Sequence, residues 1–142
     1  MAIVQALCTS FKRELLQGIH DFSQSGGDDF KIALYTSAAT LGPATATYTT
    51  AGEVSGAGYA AGGKSLARLG PSSDGTTALI DFADLSWTDA SFTARGALIY
   101  NATEGNRAVA VLDFGVDKTV SSGTFTIQFP AADAANAIIR IA

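Results

Sequence analysis

The chain has 142 residues, 47% apolar and only 15% charged, with a formal net charge of −4. That is enough for one domain, 1–142, to bury its own core. Its nine basic residues are scattered, with Lys12–Arg13 the only adjacent pair, which argues against nucleic acid as the main partner because phosphate neutralisation needs clustered Lys and Arg.

A single cysteine, Cys8, excludes an intrachain disulfide and a cysteine-only metal cage and fits a reducing compartment. The opening "MAIVQALCTSFKRELL" lacks a basic stretch ahead of an apolar run, so no secretory signal is expected. Nowhere do about 18 apolar residues follow one another, so no membrane partner is expected and the chain reads as soluble.

Val4, Cys8, Phe11, Leu15, Ile19 and Phe22 recur at steps of four and three, which predicts an amphipathic helix over about 3–22. Leu7 widens the stripe, and Gly18 within it would admit a close neighbour. Gln5, Thr9, Arg13, Gln17 and His20 take the opposite, polar side. The helix should stop at "SQSGGDD".

The period then changes to two. "FKIALYT" (30–36) alternates like a half-buried strand. Residues 37–64 show no firm periodicity, and so long a loop should contain short elements of its own. After Ser65 come "SLARL", "TALIDFA", "LSWT", "FTARGALIYN", "NRAVAVLDFG", "FTIQFP" and "AIIRIA", punctuated by turn signals such as "GPSSDG", "TEGN" and "SSG". "ALIYNATEGNRAVAVLDF" predicts a β-hairpin reversing at Glu104–Gly105. The whole predicts a mainly β fold: an antiparallel β-sandwich of about eight strands, jelly-roll-like, behind one N-terminal helix.

"GYAAGGKS" (58–65) fits the phosphate-loop pattern G-x-x-x-x-G-K-[ST]. A working phosphate loop needs a buried strand before it and a helix after it, whose N-terminal amides hold the anion. Here "TATYTTAGEVSGA" precedes and "SLARLGPSSDG" follows, where Gly70–Pro71 would stop a helix after one turn. A chance match in a glycine-rich loop, with a solvated Lys64, is the expectation.

No other constellation reads as chemistry. His20, the only histidine, is expected at the surface, and Cys8 as a small buried hydrophobe. On one straight helix the two would lie about 18 Å apart, too far for a nucleophile pair. Asp81, Asp84 and Asp89 are expected at the surface and in turns rather than as paired acids. Asp28–Asp29 lack the spaced ligands of a calcium loop. Trp87, Phe82 and Phe92 read as core rather than as a sugar platform, although Trp87 or the Tyr48–Tyr59 loop leaves a carbohydrate-binding module as an alternative. Arg95 and Arg140, inside apolar strands, read as solvent-facing on the outer side of the sheet or as interface residues. No catalytic residue, cofactor or metal is expected, and the chain does not read as an enzyme.

"FTARGALIYN", "NRAVAVLDFG" and "FTIQFPAADAANAIIRIA", with the early "FKRELLQGIHDF" and "FKIALYTSAATLG", resemble small virion proteins of tailed bacteriophages, and the resemblance covers nearly the whole chain. Within that group, size and an all-β reading fit capsid cement (decoration) proteins best. The resemblance implies a partner in the major capsid protein lattice, self-association as dimer or trimer, and a place on the capsid exterior after a stay in the host cytoplasm. Tail, neck or fibre-base proteins are the alternative. The resemblance carries over no catalytic residue. Phe11, Leu15, Ile19, Arg95 and Arg140 are the candidate interface residues, with packing of the helix on its own sheet the preferred role for the first three.

Overall fold

In the computed structural model, which describes residues 2–142, the chain opens extended rather than helical. Ile3 forms a parallel bridge with Leu41, and the Val4 amide donates to the Leu41 carbonyl at 2.9 Å. β1 (Ala6–Leu7) pairs with Val111 and Ala110. The helix, α1, covers only Thr9–Leu16 and starts from an extended Cys8 with no side-chain cap bond.

This corrects the helix expected over 3–22. The spacing of Val4, Cys8 and Phe11 suits a helix, but backbone bonds to neighbouring segments already satisfy part of residues 3–7, and tertiary pairing overrides a local period. At the far end Gly18 adopts φ +73°, and the Gln17 and Gly18 amides turn back onto the carbonyls of Glu14 and Leu15. A Cβ on Gly18 would meet nothing within 4 Å, so this glycine supplies a left-handed turn and not the close approach expected of it.

Seven further strands follow: β2 (Phe30–Tyr35), β3 (Lys64–Ser65), β4 (Arg68–Asp74), β5 (Thr77–Phe82), β6 (Leu85–Asn101), β7 (Arg107–Ile127) and β8 (Ile139–Ile141). They form two sheets with antiparallel neighbours throughout, a larger one in the order β1-β7-β6-β2-β3 and a smaller one in the order β4-β5-β8. The fold is mainly β with two antiparallel sheets and one short helix. The chain leaves the larger sheet after β3, returns at β6, and leaves again for β8.

The predicted hairpin is β6–β7, reversing through 102–106 with Gly105 and Asn106 at φ +70° and +61°. Its arms are longer than the sequence suggested, 17 and 21 residues. "LSWT" and "FTARGALIYN" are one strand, because bulges rather than turns separate them, with Asp89 at φ +48°. On β7, "SSG" is likewise a bend within the strand, Ser122 standing at φ +46°. Opposite the single residue Arg95, β7 carries the four residues 114–117, between the pairs Ala94↔Lys118 and Gly96↔Asp113. Bulges of this kind twist an open edge away from stray partners. The edge of β4 is covered otherwise: the Gln24 side chain donates to the carbonyls of Arg68 and Gly70.

One cluster of buried side chains joins the layers: Ile32, Leu34, Leu98 and Val109 from the larger sheet, Ile80, Phe82 and Ile139 from the smaller, and Phe11 from α1. Phe22, beyond the helix, stacks on Phe30 with centroids 4.2 Å apart. β2 and the second half of β6 are buried along nearly their whole length, as central strands should be. Residues 37–63 do contain short elements, isolated bridges at Leu41, Thr47, Glu53 and Ala57 that tie the segment to the rest of the fold.

Candidate functional site

The glycine loop is built around a carboxylate. Gly62 and Gly63 adopt φ +94° and +77°. A Cβ on Gly63 would lie 1.7 Å from the Ile32 carbonyl oxygen, so only glycine lets the loop cross β2 this closely. The Gly62 amide donates to Glu53 Oε2 at 2.8 Å. The same carboxylate accepts the Tyr48 hydroxyl at 2.6 Å and the Tyr59 hydroxyl at 2.5 Å. Tyr100 OH donates to the Gly62 carbonyl at 2.6 Å, and Tyr35 OH to the Thr49 carbonyl at 2.6 Å. Tyr35 and Tyr100 thus fasten residues 48–62 to the sheets, as does Tyr59, whose hydroxyl accepts the Leu34 amide, while Tyr48 ties the segment to its own Glu53.

Burial first, and the neighbouring Glu53 carboxylate with it, pushes the hydroxyls of Tyr35, Tyr48 and Tyr59 well above their ordinary range and raises that of Tyr100, so they act only as donors and acceptors of hydrogen bonds at neutral pH. Where a nucleotide loop would offer its amide to phosphate, this one gives Gly62 N–H to an internal carboxylate. The loop then runs into β3, not into a helix. Lys64 is exposed, as expected, but not idle: its ammonium donates to the Ser86 carbonyl and lies 5.6 Å from the Trp87 ring centre.

A second polar cluster ties α1 to the β6–β7 reversal, and the sequence reading missed it. His20 is not at the surface. Its ring is buried, Nε2 lying 2.8 Å from Glu14 Oε1 and Nδ1 3.0 Å from Asn101 Nδ2. Asn101 is fully buried, and its Oδ1 accepts the amides of Thr103 and Glu104. Those two donors set the amide orientation, so Nδ2 must be the group facing His20 and Asp28 Oδ2, the latter at 2.8 Å. Nδ1 of His20 therefore accepts, and Nε2–H donates to Glu14. Both ring nitrogens are occupied, which leaves neither for a substrate.

Glu14 also accepts from Arg107 Nη1 at 2.8 Å. Burial pushes its carboxyl upward, but the bonds from His20 and Arg107 outweigh that and hold it below its ordinary value. A carboxylate one turn from Phe11 on the apolar side of the helix was the available signal. The histidine misplacement follows from the helix length: α1 ends at Leu16, so His20 lies on the return segment and not on the face that helical spacing assigns to it.

The remaining sites divide cleanly. Cys8 is buried, as expected, and burial and Glu14 push its thiol up to about 11. Trp87, Phe82 and Phe92 are core residues, at 0, 1 and 7% exposure, so Trp87 offers no open platform. Asp28 accepts the Asp21 amide as well as Asn101, and among the described residues no three His, Cys, Asp or Glu side chains form a cation site. Asp84 and Asp89 are exposed, as expected, whereas Asp81 is fully buried, because β5 is covered on both faces there. No helix among the described residues is long and apolar enough to cross a membrane.

Of the candidate interface residues, Phe11 lies wholly in the molecule's own core, the role preferred for it, and cannot meet another molecule. Leu15 and Ile19 are half-buried, Leu15 lining a small apolar groove of about 130 Å³ with Phe22, Ile80, Ile139 and Ile141. Arg95 is partly exposed and lies 3.4 Å from Asp117 and 4.0 Å from Asp113, carboxylates of its own chain. Arg140 is exposed and donates to the Ala134 and Ala135 carbonyls. Two apolar side chains not singled out from sequence stand largely in solvent: Leu16, next in the chain to Leu15 and 92% exposed, and the groove-lining Ile141, 60% exposed. Comparison of the chain with protein-family models, with curated proteins and with solved structures finds no match.

Proposed function

We propose that this chain is a structural protein of a tailed-bacteriophage virion, a capsid cement protein that binds the major capsid protein lattice from outside and reinforces the head. The observation that carries the reading is the run of phrases from "FKRELLQGIHDF" to "AADAANAIIRIA" that resembles such proteins over nearly the whole length. In this reading the two sheets are the halves of a β-sandwich, jelly-roll-like in that the chain passes repeatedly from one sheet to the other while neighbours stay antiparallel.

Physical features support the role. Polar side chains are spent on pinning loops: the half-buried Glu53 within the 48–62 segment, and the buried Glu14, His20 and Asn101 on the joint between helix and hairpin. Rigid loops suit a protein that must fit a fixed lattice, because little ordering entropy is then lost on binding. The exposed Leu16 and Ile141 give apolar contact area, and many weak contacts repeated over a shell add up through multivalency. Dimers or trimers of the chain belong to the same proposal, as do the host cytoplasm before assembly and the outer capsid surface after it. Quantitative composition of purified virions tests it. A copy number close to that of the major capsid protein is expected, and a count of a few per particle would move the chain to tail or neck.

A further inference from the structure

Asp81 is a fully buried carboxylate that nothing described so far uses. It sits on β5 opposite Leu69 of β4, with Ile138 and β8 on its other side. Oδ1 accepts the Phe82 amide at 2.8 Å, and the Ile138 amide lies close enough to pull on the carboxylate without meeting hydrogen-bond geometry, so Oδ2 has no hydrogen-bond partner. The charged groups around it are anionic: Asp84 from the link to β6, and Asp133 from the segment before β8. The cation of β8, Arg140, directs its guanidinium to the carbonyls of Ala134 and Ala135 instead.

An ionised carboxylate without a partner in such a place costs far more than a neutral one. Burial, and after it the two aspartates, hold the Asp81 carboxyl above its ordinary 3.8 against the opposing pull of the Phe82 and Ile138 amides. We propose that Asp81 is a proton-operated lock on the smaller sheet, which packs more loosely while Oδ2 is ionised and tightens when the buried carboxyl takes up a proton.

The direction follows from linkage. A carboxyl whose folded value lies above its unfolded one binds its proton in the native state first as pH falls. Its contribution is therefore complete below 3.8 and is lost as pH rises through the folded value. Glu14, held low, has the opposite slope, so the lock is read as a difference between two proteins rather than from one curve. This inference is independent of the capsid reading.

The test is urea unfolding of wild type and Asp81→Asn between pH 4 and 8. Asparagine keeps the oxygen that accepts the Phe82 amide and removes the charge. The variant should show the higher midpoint at pH 7 to 8, with the gap narrowing once pH falls through the folded value of Asp81 toward 4. A gap that does not change with pH, or a variant less stable at every pH, overturns the proposal. Because the variant could fail to fold, the carboxyl ¹³C titration of native wild type supplies the second readout. Asp81 should titrate above Asp133, whose carboxyl is held low chiefly by the Ala135 amide and by Asn136. An Asp81 midpoint at or below that of Asp133 overturns the lock as well.

Discussion

Replacing Glu53 by alanine should loosen the glycine loop while leaving the sheets assembled. Three donors converge on this carboxylate, two tyrosine hydroxyls and the Gly62 amide, all within 2.8 Å. Hydrogen bonds to a charged group are worth about 1.5–3 kcal/mol each, but Tyr48 and Tyr59 are only partly buried and water can recover part of the loss. A net cost of about 3 kcal/mol follows, a large share of the roughly 5–15 kcal/mol that holds a domain together. Glu53→Gln is the discriminating variant. Its oxygen can serve the side shared by Tyr59 and Gly62 while its amide donates to a rotated Tyr48 hydroxyl, so about half the loss should return. Urea unfolding gives the magnitudes, and hydrogen exchange gives the place: the Gly62 and Tyr59 amides should lose protection well before those of β2 and β6. An alanine variant within about 0.5 kcal/mol of wild type, or a glutamine variant no better than alanine, would refute the claim that this carboxylate organises the loop.

Gly63→Ala should cost more than about 3 kcal/mol or prevent folding, since its Cβ collides with the Ile32 carbonyl at positive φ, whereas Lys64→Ala one residue on should cost less than about 1 kcal/mol; thermal unfolding compares them, and parity would be against the close-crossing account. Glu14, held low, adds stability that is present above its unfolded value near 4.5 and lost as pH falls through its lower folded value, so Glu14→Gln should flatten the acid limb of the stability curve below pH 4.5; an unchanged limb would contradict the pairing with His20 and Arg107. Trp87, fully buried, should emit at short wavelength and resist acrylamide quenching in the native protein, and ready quenching would show the core to be open there.

What the sequence disclosed follows from where local and long-range signals agree. β2, β5 and the β6–β7 reversal were legible because alternation and turn residues coincide with their pairing partners. The first helix was overextended because Val4, Cys8 and Phe11 satisfy a helical period while the backbone of residues 3–7 is claimed by Leu41, Val111 and Ala110, positions about 40 and 100 residues away. The bulges at Asp89 and Ser122 read as strand ends, since a local break in alternation looks alike in either case. Rejection of the phosphate loop rested on its flanks, and β3 in place of a helix agrees with it. Glu53 and Asn101 gave no such signal, because a lone glutamate in a glycine-rich stretch and an asparagine before a turn acquire their roles only when Tyr48, Tyr59 and His20 are brought to them.

The most direct measurement of the central claim is electron cryo-microscopy of the virion proposed to carry this chain. The account predicts density fitting the two-sheet fold at repeated lattice positions on the outer face of the capsid shell, in contact with the major capsid protein. Density for the chain confined to the tail or neck, or absent from the particle, would contradict it.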